Sequence, residues 1–124
     1  MIPRYRAWDK EFKEMVQVDA LVFEEQLIKA TYKNGNVVKE DLKNYVLMQS
    51  TGLKDKNGKE IFEGDIIDST DGFLTGVIEF RVSLGMFVSY LVEYNNFERL
   101  CNIASSRKII GNIWEHPELA EVSS

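Results

Sequence analysis

The sequence predicts a mainly β protein with little helix, assembled from short antiparallel strands. Three observations carry this. Apolar residues come in short β-branched and aromatic runs with no sustained 3.6-residue period. Turn dipeptides such as Asn34-Gly35, Asn57-Gly58 and Asp71-Gly72 cut those runs. Between Lys59 and Trp114 five runs follow one another at a spacing of roughly ten residues, the rhythm of a small barrel or rolled sheet. Residues 51–124 are therefore expected as a small SH3-like or rolled barrel, and residues 1–50 as an N-terminal β layer or arm. No Pro- or Ser-rich linker separates the halves, so 1–124 reads as one domain.

In the N-terminal half, Glu14, Val16 and Val18 alternate with Met15 and Gln17 as a half-buried strand does. The apolar run continues through Ala20–Phe23 until Glu24-Glu25-Gln26 interrupts it. Leu27–Tyr32 reads as a strand entering Lys33-Asn34-Gly35-Asn36, and Asn-Gly is a strong hairpin signal because both residues tolerate positive φ. Val37-Val38 starts the return strand. Glu40–Asn44 reads as a loop or one helical turn that Asp41 could cap, and Tyr45–Met48 as a buried strand.

The second half is more regularly punctuated. Strands are expected at Lys59–Phe62, Asp65–Asp68, Phe73–Phe80, Met86–Tyr94, Phe97–Ile103 and Arg107–Trp114. The first two lie on either side of the turn at Glu63-Gly64, so they count as one broken run. Gly76 marks a bulge or bend. Met86–Tyr94 is apolar on both sides, which suits a central strand or one whose second face meets a partner. Pro117-Glu118-Leu119-Ala120 suggests a final helical turn with Pro117 in its first position.

Fifteen Lys and Arg stand against twenty Asp and Glu, a net charge of -5, so the chain has no general attraction for polyphosphate. No run approaches the ~18 apolar residues of a membrane-spanning helix, and Met1–Asp9 lacks a signal-peptide core. A cytoplasmic protein without membrane attachment is expected. The single cysteine, Cys101, cannot form an intramolecular disulfide.

The densest local feature is Thr51–Ile67, read as a turn at Asn57-Gly58, a short strand, and a second tight turn. There Gly64 takes a conformation closed to other residues and Asp65 accepts from nearby amides. The same stretch could instead open an acidic metal loop through Asp55, Asp65, Asp68 and Asp71. Gly58 arrives three residues after Asp55, which breaks the EF-hand pattern, so turn chemistry is preferred. Within this stretch, Gly52-Leu53-Lys54-Asp55-Lys56-Asn57-Gly58-Lys59-Glu60-Ile61-Phe62-Glu63-Gly64-Asp65-Ile66 resembles the central signature of the YopX family of phage and prophage proteins. Arg4-Tyr5-Arg6-Ala7-Trp8-Asp9 resembles that family's opening, and Ile110-Gly111-Asn112-Ile113-Trp114-Glu115-His116-Pro117-Glu118-Leu119 its end. The three anchors stand in order along the whole chain. The resemblance implies a phage-encoded, self-associating protein, and it transfers no catalytic residue.

Other constellations are thin. Cys101 and His116 are the only cysteine and histidine. Cys101 reads as a small buried hydrophobe within a strand rather than a nucleophile. One His and one Cys make a zinc site improbable, and neither a cofactor nor a metal is expected. Chance pairs among twenty acids single out no catalytic couple, and no phosphate-cradling glycine loop is present, so the chain is read as a non-enzyme. Arg4, Arg6 and Lys10 around Trp8 are the candidates for phosphate and base contact. The preferred structural reading has Trp8 anchoring the first strand while Arg4 and Arg6 line one solvent face. Lys54, Lys56 and Lys59 read as a solvated turn diluted by Asp55 and Glu60. Seven Phe, five Tyr and two Trp exceed what a small barrel hides easily, so some are expected at a subunit interface. Phe87, Tyr90 and Tyr94 are the first candidates. The expected function is a self-associating module that binds a host or phage protein. Nucleic-acid binding through Arg4, Arg6 and Trp8 is the alternative, disfavoured by the acidic balance, and a metal-assisted enzyme comes third.

Overall fold

The structure, a computed structural model, describes residues 4–121. Met1-Ile2-Pro3, part of the N-terminal stretch read above, lie outside the described residues, as do the last three. The protein is mainly β, as the alternation and turn signals require. No described helix is long and apolar enough to cross a membrane. The chain divides into two compact units at Gln49/Ser50.

The first unit contains β1 (Tyr5–Asp9), β2 (Glu14–Val22), β3 (Leu27–Thr31), β4 (Val37–Asp41) and the first half of β5 (Tyr45–Lys54). All pairs are antiparallel, in the order β4-β3-β2-β1-β5. Ala7, Val16, Ile28, Ala30 and Tyr45 form its buried cluster, all on one face by strand alternation. A bulge between Val18 and Ala20 breaks the β2–β3 register, and such a bulge adds local twist. Asp41 caps the 3₁₀ turn Leu42–Asn44, accepting from the Lys43 amide, and this turn carries the chain from β4 to β5. The two edge strands of the unit then meet through a side-chain bond from Tyr45 Oη to Glu40 Oε2 at 2.8 Å.

The second unit begins with the later half of β5, paired with β6 (Glu60–Phe62). Then follow β7 (Asp65–Asp68), β8 (Gly76–Arg81), β9 (Met86–Leu91), β10 (Asn96–Arg99), α1 (Leu100–Ile103), a 3₁₀ turn at Ala104–Ser106 and β11 (Lys108–Asn112). A last 3₁₀ turn, Pro117–Ala120, has Pro117 at its start. Five strands pair in the order β10-β9-β8-β7-β11. The expected barrel is not closed, because among the described residues β10 and β11 do not pair. The segment between them is helical rather than extended. Leu100, Ile103 and Ala104 fall at helical spacing, and all three pack in the cluster with Ile61, Ile67 and Ile78. The strand expected to run to Ile103 therefore stops at Arg99. Cys101, placed between the inward positions of a one-turn helix, is exposed rather than buried. Phe73 precedes β8, and Tyr94 lies in the turn after β9. Gly76 marks a close approach: an ideal Cβ there would stand 1.8 Å from Ser89 Oγ on the paired strand.

Candidate functional site

Three constellations could carry function. The first lies wholly in residues 4–49. Tyr32 Oη donates to Asp9 Oδ2 at 2.5 Å and lies 2.6 Å from Tyr45 Oη, which in turn donates to Glu40. Asp9 also takes the amides of Glu11 and Phe12 through Oδ1, which closes the β1–β2 turn. Burial raises both phenols, since an ionised ring would be stranded away from water. The Asp9 carboxylate raises Tyr32 further, and the Tyr45 pKa is pushed up to about 12. These phenols stay neutral at ordinary pH and act as hydrogen-bonding struts.

The second is the turn that carries the densest sequence motif. Asp55 Oδ1 accepts the amides of Asn57 and Lys59, each at 2.9 Å, and Oδ2 accepts the Ile109 amide of β11 at 3.0 Å. Lys56 N also donates to Arg107 O. Burial alone would raise the Asp55 carboxyl, but the Ile109, Lys59 and Asn57 amides outweigh it, with help from the Lys59 ammonium, and hold it below its ordinary value. Asp65 accepts the Phe62 amide, and Gly64, at φ 83°, hands its carbonyl to the Ile113 amide. Near the chain's end, Asn112 Oδ1 accepts the Trp114 and Glu115 amides, and His116 Nδ1 faces the Asn112 amide at 3.3 Å. Gly111 makes room for that ring: an ideal Cβ there would sit 2.6 Å from Nδ1. A family model described as YopX protein matches residues 4–121, the span that contains all three of these anchors.

The chain belongs to the YopX family. A crystal structure of protein EF1440 from Enterococcus faecalis is similar at 32% identity, with 98% of this chain and 99% of that chain covered and a TM-score of 0.66. The X-ray structure of protein yopX from Bacillus subtilis is similar at 22% identity, covering 93% and 95% of the two chains at a TM-score of 0.57, which bears on the fold alone. A search of curated proteins found no match. In this YopX-family chain the central and closing signatures are thus backbone-holding devices. Asp55 and Asp65 in the central signature accept main-chain amides, as does Asp71 beyond it, and Ser69 also donates to Asp71. The Ser69 hydroxyl and the Phe73 amide hold the Asp71 carboxyl below its ordinary value. Among the described residues no three His, Cys, Asp or Glu side chains gather as a metal site.

The third constellation is the β8–β9 hairpin end. Arg81 O accepts the Leu84 amide and Val82 O the Gly85 amide, which fixes the loop. Phe80 pairs with Phe87 across the strands in an edge-to-face contact, with ring centres 5.0 Å apart. Val82 is 85% exposed, Phe80 42%, and Leu84 is exposed too. Sequence reasoning missed Val82 and Leu84. The available signal was an apolar pair flanking Ser83 where turn chemistry favours polar residues.

The sequence-derived candidates separate. Arg4 is exposed ahead of β1 and Arg6 is half-buried within it, while Trp8 is 8% exposed and presents no ring face to a base. Lys10 Nζ donates to Lys43 O. Phe87 packs against the second unit's core and supports the hairpin end. Tyr90 is half-buried and donates to Asn95 Oδ1, and Tyr94 is exposed in the turn. The two-sided strand is buried on both faces at its centre, where Val88 and Ser89 are wholly covered.

Proposed function

We propose that this YopX-family protein is a non-enzymatic, self-associating protein-binding module, encoded by a phage or prophage and working in the host cytoplasm, and that it engages its partners through the β8–β9 hairpin end. One observation carries the reading. Phe80, Val82 and Leu84 stand exposed within five residues, on a loop closed by two backbone hydrogen bonds and propped by the Phe80–Phe87 contact. Other exposed aromatics, such as Phe12 and Tyr94, sit singly in turns, which is ordinary for a protein surface. A braced apolar projection loses little freedom on docking and suits the central anchor of an interface. Sedimentation velocity over a range of concentrations tests it. The native chain is expected to associate, and a Val82→Asp/Leu84→Asp pair to be monomeric with an unchanged melting temperature. A native chain that stays monomeric throughout removes self-association, and a charged pair that associates as before removes the hairpin end.

A further inference from the structure

On the face of β2–β4 opposite the first unit's buried cluster, strand alternation sets Ala20, Val22, Leu27 and Val37 around an open groove of about 350 Å³. Lys29 and Lys39 also line it, and they are register partners, directly opposite one another on β3 and β4. Like charges in that position are destabilising in a sheet. Neither lysine has an ion pair among the described residues. Of the acids on that face, Asp41 lies 3.7 Å from Lys43 Nζ, and Asp19 accepts from Gln17 and Thr31. The two ammonium groups thus face one another over an apolar floor without an ion pair, in a chain of net charge -5.

We infer that this groove binds an acidic, amphipathic peptide segment of a partner protein, an apolar side chain lying over Ala20 and a carboxylate held between the Lys29 and Lys39 ammonium groups. The long lysine stems extend the apolar wall while their heads stay in water, so one ligand residue can be greased and the next ionic. Val37 is more than half exposed, so the groove is shallow. It therefore fits a chain laid across a surface better than a small molecule, which needs enclosure. The lysine pair supplies specificity by attracting acidic sequences and repelling basic ones. This surface uses residues of the first unit alone, and none of them belongs to the hairpin end.

A displayed library of random short peptides, selected on the full chain, tests the inference. Enrichment of Asp or Glu alternating with Leu, Ile, Val or Phe is expected. A selected peptide labelled with fluorescein should bind roughly tenfold more weakly to the Lys29→Gln/Lys39→Gln protein, and more weakly as salt rises. Replacing its acids by their amides should weaken binding to the native chain by a similar factor. Ala20→Leu, which fills the floor, should also abolish binding, while the Val82→Asp/Leu84→Asp protein should bind as the native chain does. Removing the lysine pair leaves folding intact, since it relieves a repulsion, and an unchanged melting temperature confirms this. Selection of neutral or basic peptides overturns the inference. So does binding indifferent to the lysine substitutions, or competition by a DNA oligonucleotide or phosphatidylserine vesicles as effective as by the peptide. Loss of peptide binding in the hairpin variant would instead place the site on that hairpin.

Discussion

A side-chain relay ties the strands of residues 4–49, whereas three buried acceptors of residues 50–121 bind main-chain amides. In the first unit a relay of side chains, Asp9, Tyr32, Tyr45 and Glu40, joins the strands across the buried face. In the second, Asp55, Asp65 and Asn112 accept main-chain amides at turns. The two solutions respond to opposite ends of the pH scale. A phenol strut works while it keeps its proton, and a carboxylate acceptor works while it lacks one.

The sharpest way to break this comparison is Asp55→Ala. It strands the Asn57, Lys59 and Ile109 amides, with a cost of about 3 kcal/mol or more. Hydrogen exchange should show protection lost first around Ile109 and Lys59 while Ala7 and Ile28 keep theirs; equal loss in both units would erase the distinction. Next comes Gly76→Ala, whose methyl collides with Ser89 Oγ, at a cost of roughly 2 kcal/mol in urea unfolding. Ser89 is wholly buried and its hydroxyl has no partner among the described residues. Ser89→Ala alone should therefore be neutral or slightly stabilising, and in the Gly76→Ala background it should recover part of the loss. Tyr45→Phe should cost about 1 kcal/mol at neutral pH.

The pH profile is the mildest probe and the most discriminating. The folded Tyr45 pKa lies above its unfolded value near 10. Its contribution is thus complete below about pH 10 and disappears as pH rises towards 12, and Tyr32 shifts in the same direction. Asp55 and Asp71 lie below the unfolded value of 3.8, so their contribution is whole above that pH and is lost as pH falls through their lower folded values. Circular dichroism with exchange at each extreme should show alkali loosening residues 4–49 first and acid loosening residues 50–121 first. The alkaline limb should shrink in Tyr45→Phe.

Most strands were legible because their residues alternate and their turns are chemically marked. Asn34-Gly35 closes the β3–β4 connection, and Asp41 caps its turn as its type and place suggest. The segment from Leu100 to Ala104 was not, because a run as short as Leu100-Cys101-Asn102-Ile103 reads as a two-sided strand or as one helical turn. Only the buried Leu100 and Ala104 decide between them. The candidate surfaces were half legible. Phe87 was marked by its aromatic run, but Val82 and Leu84 gain meaning only once their loop is seen to project. The facing of Lys29 and Lys39 depends on strand register, which hairpin geometry sets and which no single strand reveals.

The bond between Asp55 and the Ile109 amide spans 54 residues of chain. During synthesis the first unit's phenol relay has all its members once Tyr45 leaves the ribosome, while the Asp55 turn waits for the last strand. Chains that end before Ile109 would therefore hold every member of the phenol relay but leave the Asp55 turn unlatched.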